Sequence, residues 1–120
     1  MGNWIVHWDL VVDDVQKAKR FYGNVFDWGF DDEAFPGYTI VDVGEEGRGG
    51  GIMQRPPDAP GNALNSYFGV DDLDTTLAKA EAAGAQVVVP KTEIPGVGFW
   101  GMFIDPDGIP IALFEPLPQM

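Results

Sequence analysis

The 120-residue sequence predicts an α+β fold built from two βαβββ repeats, and three observations carry the prediction. A strand, an acidic cap and an amphipathic helix follow one another between Trp4 and Trp28. The same order returns later, with Val70-Asp71-Asp72-Leu73 echoing Val12-Asp13-Asp14-Val15 at a spacing of 71 − 13 = 58 residues, close to half the chain. After each helix come further short apolar runs separated by Gly/Pro/Asp punctuation. Repeats this small cannot bury their own faces, so the two are expected to share one domain over residues 1–120.

The first repeat spans 3–55. Ile5 to Val12 is rich in β-branched and aromatic residues and holds no Gly or Pro, which reads as a strand. Asp13 offers an oxygen to open a helix, and Gln16 three residues on completes a capping-box-like pair. Val15, Ala18, Phe21, Tyr22, Val25 and Phe26 fall on one side of a 3.6-residue spiral, a stripe that calls for a packing partner. Trp28-Gly29-Phe30 begins a second strand, Asp31-Asp32-Glu33 is a solvated turn, and Pro36-Gly37 turns the chain into the strand Tyr38 to Val43. Gly44 to Gly51 holds five glycines but lacks the Lys-Ser/Thr of a phosphate loop, so it is a hairpin turn into the short strand Gly51 to Gln54.

Residues 56–62 form a stiff linker, because the prolines at 56, 57 and 60 exclude both helix and central strand. The second repeat spans 63–116. Asn65 to Val70 supplies its strand and Asp71 its cap; Leu73, Leu77 and Ala80 make the apolar stripe, and Gly84 ends the helix. Ala85 to Val89 is a strand, Pro90 to Gly98 a loop, and Phe99 to Ile104 a strand. Asp105-Pro106-Asp107-Gly108 is a turn before the closing strand, Ile109 to Glu115, and the tail 116–120 is expected to fray.

Composition narrows the function classes. Hydrophobic residues at 45% support a core. No apolar run is long enough to span a bilayer and no signal-like segment opens the chain, so a soluble cytoplasmic protein is expected. Met1-Gly2 does not begin a myristoylation motif, since Val6 stands where Ser or Thr is needed. The absence of cysteine excludes disulfides, thiolate metal sites and cysteine nucleophiles. A net charge of −12 with only 7 basic residues argues against nucleic acid and anionic membranes as partners. The acidic residues read as a solvated surface, or as an attraction for cationic small molecules where they line a pocket.

Two such repeats, with Phe21-Tyr22 in the first helix and Ala82-Ala83-Gly84-Ala85, Pro95-Gly96-Val97-Gly98 and Asp105-Pro106-Asp107-Gly108 in the second half, resemble the glyoxalase / bleomycin-resistance / extradiol-dioxygenase (vicinal oxygen chelate) superfamily. The resemblance implies a curled mixed sheet forming a cup between the repeats, and a homodimer. It does not fix the chemistry, since the superfamily includes lyases, isomerases, ring-cleaving dioxygenases and drug-sequestering binders.

Its enzymes hold a divalent metal with side chains from the first and last strands of each half. Carried over position by position, the first-strand ligand matches His7, its second-half equivalent is Asn65, the last-strand position is Ala112, and on the closing strand of the first half only Gln54 could coordinate. His7 alone cannot hold zinc, nickel, iron or manganese tightly; Asp9 and Gln54 are the available supplements. Strand alternation puts Asp9 on the face of His7, which also permits a metal-free acid–base pair. By the same alternation Asn65, Tyr67 and Phe114 are expected to line the cup, together with either Trp100 and Met102 or Phe99 and Phe103.

The expected function is therefore binding of a small aromatic or cationic molecule without a tightly bound metal or other cofactor. His7, Asp9, Gln54, Asn65, Tyr67, Trp100, Met102 and Phe114 are the candidate ligand-binding residues. The rivals are a metal-dependent lyase or isomerase of the glyoxalase I kind, with His7 and Asp9 catalytic, and a non-catalytic regulatory or interaction domain.

Overall fold

The computed structural model describes residues 3–59 and 61–118; the readings made at Met1-Gly2, Pro60 and Gln119-Met120 lie outside the described residues. The chain forms two compact units, one from residues 7–65 and one from 66 onward together with the segment up to Val6. The order of elements is β1 (Ile5–Val12), α1 (Val15–Phe26), β2 (Gly29–Phe35), β3 (Tyr38–Asp42), β4 (Gly50–Gln54), β5 (Ala63–Gly69), α2 (Leu73–Ala82), β6 (Gln86–Ile94), β7 (Gly98–Ile104) and β8 (Pro110–Pro116). The α+β class and the βαβββ repeat are thus as expected.

In the first unit the strands run in the order β2-β3-β4-β1. β1 and β4 are parallel with Asp9 opposite Gly51, whereas β2–β3 and β3–β4 are antiparallel, so the sheet is mixed. Alternation divides the strands by face. Trp8, Leu10 and Val12 join Val41 and Ile52 against Val15, Ala18 and Tyr22 of α1, and Ile52 is wholly buried. His7, Asp9 and Val11 therefore occupy the opposite face.

The second unit repeats this plan in the order β5-β8-β7-β6, with β5–β8 parallel and β8–β7–β6 antiparallel. Phe68, Val87, Phe99, Phe103 and Ile111 pack on Val70, Leu73, Leu77 and Leu113. Gly101 makes this possible: a Cβ there would stand 3.3 Å from both Leu73 and Leu77, so glycine lets α2 lie close on β7. The backbone of Trp4 is tied to the same unit, its carbonyl accepting from the Gly69 amide at 2.9 Å.

Both helix caps fall one residue later than the sequence suggested. Asp14, not Asp13, accepts from the Lys17 amide, and Asp72, not Asp71, accepts from the Thr75 amide. Asp13 is engaged elsewhere: its carbonyl accepts from the Gln54 amide and its carboxylate from Arg55 Nε. With Asp14 as cap, Gln16 is not at the capping-box position. The repeat itself is kept, because 72 − 14 is again 58. The Thr75 amide holds the Asp72 carboxyl below its ordinary range.

Two segments expected as turn and loop are strand. Asp31-Asp32-Glu33 lies within β2, where the Lys19 ammonium and the Thr39 hydroxyl both bond Asp32 and lower its pKa. Lys91 to Ile94 continues β6 beyond Pro90, since register shifts on either side of Val89 release the proline from the ladder.

The α1 stripe is only partly covered. Val15, Ala18 and Tyr22 meet the sheet, while Phe21, Val25 and Phe26 remain 58%, 53% and 54% exposed.

Candidate functional site

The face of the first unit turned away from α1 brings three polar side chains together. Asp9 is set on β1 two residues after His7, which places both on one side of the strand. Tyr38 opens β3, in register with Met53 and two residues before Ile40, which is opposite Gly51. Gly51 is in turn opposite Asp9. A Cβ on Gly51 would overlap the Tyr38 hydroxyl and stand 2.6 Å from its ring Cε1. The missing side chain is thus the space in which the phenol reaches across the sheet.

There the Tyr38 hydroxyl donates to Asp9 Oδ1 at 2.6 Å. His7 Nε2 lies 2.7 Å from the Tyr38 oxygen and 3.0 Å from the same Asp9 oxygen. The carboxylate is nearly withdrawn from solvent, with its side chain 7% exposed, whereas that of His7 is 36% exposed. A carboxylate buried to this degree is stabilised only by such donors. The arrangement can therefore orient an imidazole, accept a proton and present an exposed polar edge beside Val11, Ile40 and Met53 on the same strand face.

Of the residues singled out from sequence, His7 and Asp9 are brought together. Gln54 is not. It pairs with Val12, sits on the α1 side of the sheet with Ile52, and spends its amide on the Asp13 carbonyl at 2.7 Å. Asn65 lies on β5 and is half-buried.

The second unit settles the orientation of β7: Phe99 and Phe103 pack toward α2, so Trp100 and Met102 take the other face. Trp100 and Met102 are opposite Phe114 and Ala112, Ala112 is opposite Tyr67, and the Tyr67 and Trp100 rings are 6.5 Å apart. Glu115 belongs to the α2 side, where it accepts from the Leu73 amide at 2.8 Å.

Tyr38 was missed. The signal lay in the repeat, because Trp100 opposite Phe114 on β7 and β8 corresponds to Tyr38 opposite Met53 on β3 and β4. The offset there is 100 − 38 = 62 residues, so the spacing of 58 does not reveal it.

A divalent metal does not fit these residues. His7 Nε2 and Asp9 Oδ1 are directed at each other and at Tyr38, Gln54 faces away, and Ala112 has no donor. Among the described residues no group of three His, Cys, Asp or Glu side chains is placed to hold a metal.

Residues 4–113 match the model of the Glyoxalase/Bleomycin resistance protein/Dioxygenase superfamily, and the chain belongs to that superfamily. A protein of Mycobacterium tuberculosis named "Putative glyoxylase CFP32" is 33% identical over 120 residues, covering 94% of this chain and 44% of the relative. The "Anthracycline biosynthesis protein DnrV" of Streptomyces peucetius is 27% identical over 125 residues, covering 89% and 45%. The chain thus spans less than half the length of these curated relatives. Among solved structures, methylmalonyl-CoA epimerase from Mycobacterium tuberculosis superposes with a TM-score of 0.71 at 18% identity, covering 98% of this chain and 93% of that one, a likeness of fold. No described helix is long and apolar enough to cross a membrane.

Proposed function

We propose that the chain binds a small aromatic or cationic molecule on the sheet face that carries His7, Asp9 and Tyr38, without a tightly bound metal, as a homodimer in the cytoplasm. The single observation that carries the reading is the His7–Asp9–Tyr38 triangle. It commits to one another the groups a metal would need, yet leaves the imidazole at the surface of a strand face that also carries Val11, Ile40 and Met53. Apolar side chains beside a few convergent polar groups suit a small organic ligand. The charge of −12 favours cations among the candidates.

The test is a thermal-shift screen of cationic drugs and aromatic acids against the wild type and His7→Ala. A ligand present at 100 times its Kd should raise stability by about 2.7 kcal/mol in the wild type and by less in the variant. Stabilisation by no compound would favour a regulatory or interaction domain instead.

The mycobacterial relative's name supports a second reading, a metal-dependent lyase or isomerase of the glyoxalase I kind with His7 and Asp9 catalytic. Metal analysis of untagged protein decides between the two. Stoichiometric nickel or zinc that disappears in His7→Ala would establish the enzyme reading and overturn the first.

A further inference from the structure

The two helices occupy matching places in the repeat, yet their outward faces differ. On α2 the charges follow the helix dipole: Asp74 lies in the first turn, Lys79 in the last, and no large apolar side chain is exposed. On α1 they run against it. Past the cap Asp14, the first turn has no acid and carries Lys17 instead; the last turn has no base, and the exposed Asp27 follows at the C-cap. A cation near the positive end of a helix and an anion near its negative end each weaken that helix on its own. Among the described residues neither the Lys17 ammonium nor the Asp27 carboxylate has an ion pair.

Between these two charges α1 exposes Phe21 and Val25, four residues apart and therefore on one side of the helix. The Phe21 ring stands edge-on to Tyr22 with centres 5.0 Å apart, and Tyr22 stacks on Trp28 at 5.5 Å, so the exposed ring is fixed against its own unit. The helix has three of the chain's 7 basic residues and no acid, although the chain has 19 acids. Lys19 is spent on Asp32, whereas Lys17 and Arg20 are exposed.

We propose that this face packs on the same face of a second copy, two α1 helices lying antiparallel about a twofold axis, with Phe21 and Val25 at the centre and Lys17 of each copy beside the partner's Asp27. Each copy then brings a cation to the negative end of the other's helix and an anion to its positive end, so one arrangement answers both misplaced charges. Lys17 and Asp27 are equally far from Tyr22, since 22 − 17 and 27 − 22 are both 5, so an axis near Tyr22 makes both contacts in one register. A foreign acidic partner would answer Lys17 and Arg20 but be repelled by Asp27. Fixed aromatic anchors ringed by polar groups are also what the centre of a protein contact is made of. This names the surface of the homodimer proposed above and rests on that reading.

Sedimentation equilibrium of the whole chain, from micromolar to millimolar concentration, tests it. At about 0.15 M salt a Debye length of about 8 Å screens the net charge of −12 that each copy carries. The wild type should be dimeric and Phe21→Asp monomeric, with unchanged circular dichroism because the replaced ring is largely exposed. Lys17→Glu should weaken the dimer roughly ten-fold, since a lost attraction and a new repulsion each occur twice. Acting only within its own helix, the same substitution would be neutral or stabilising. Asp27→Asn removes the facing carboxylate and suits the left-handed φ of 57° at that position. On that background Lys17→Glu should cost roughly two-fold or less.

A dimer untouched by Phe21→Asp overturns the α1 contact and leaves the homodimer reading standing. A wild type that is monomeric throughout overturns both and gives the face to a different partner. A dimer that Phe21→Asp breaks, but in which Lys17→Glu costs the same with and without the Asp27 carboxylate, overturns the antiparallel pairing.

Discussion

Gly51→Ala is the perturbation that most directly probes how the first unit is built. An added methyl would overlap the Tyr38 hydroxyl and ring, so the phenol would have to leave its place beside Asp9. Replacing a strand glycine by alanine would by itself gain about 0.5–1 kcal/mol from chain entropy. Against this stand the lost hydrogen bond to the withdrawn Asp9 carboxylate, about 1.5–3 kcal/mol, and overpacking of about 1–3 kcal/mol. The losses exceed the gain, leaving a net destabilisation of about 3 kcal/mol. Urea unfolding of four proteins measures it: wild type, Gly51→Ala, Tyr38→Ala and the double variant. If the clash with Tyr38 is the cause, Gly51→Ala should cost close to nothing on the Tyr38→Ala background, a coupling of about 3 kcal/mol. Equal costs on both backgrounds would refute the reasoning, since alanine would then be opposed by something other than the phenol.

Two further expectations concern the helix starts. Asp14→Ala should destabilise the chain by about 1 kcal/mol through loss of the α1 cap. Asp13→Ala should cost less, because it removes only a largely exposed pair with Arg55; chemical denaturation that ranks them in reverse would return the cap to Asp13. Asp72 has its carboxyl held below its ordinary 3.8 by the Thr75 amide. A depressed folded-state pKa means that its stabilisation is fully present above about 4, and is lost as pH falls through the lower folded value. A melting profile from pH 6 to pH 2 should therefore fall less steeply for Asp72→Asn, and parallel profiles would exclude the linkage.

Much of the fold was legible because it rests on periodicity. β1 was readable from Ile5 to Val12 since one face had to meet α1 and the other did not, and alternation then placed Asp9 with His7. What was not legible depends on tertiary context. Asp13 and Asp14 have equal local claims to the cap, and only the arrival of Gln54 and Arg55 beside Asp13 decides between them. Pro90 looked like the end of a strand, yet register shifts on both sides allow β6 to continue. Gln54 was assigned to the site by its chemistry, but an odd offset from Gly51 turns it to the other face. Tyr38 escaped because its importance comes from a glycine opposite Ile40, two residues further along β3, which no window along one strand contains.

The correspondence between the repeats explains why their chemistry divides as it does. Asp9 opposite Gly51 in the first unit occupies the place of Tyr67 opposite Ala112 in the second, and Tyr38 opposite Met53 that of Trp100 opposite Phe114. Each register thus sets a β1- or β5-strand residue near a β3- or β7-strand aromatic across a small residue. In the second unit the pair is two rings, 6.5 Å apart. In the first it is a phenol and a carboxylate at 2.6 Å. A carboxylate can be withdrawn from water only where a donor reaches it, and the phenol reaches it only where the intervening residue lacks a side chain. Ala112 has a methyl where Gly51 has none, so the second register suits ring contact and the first suits a hydrogen bond. The two repeats keep the same helix-facing pattern while this one position separates a polar, proton-handling face from an aromatic one.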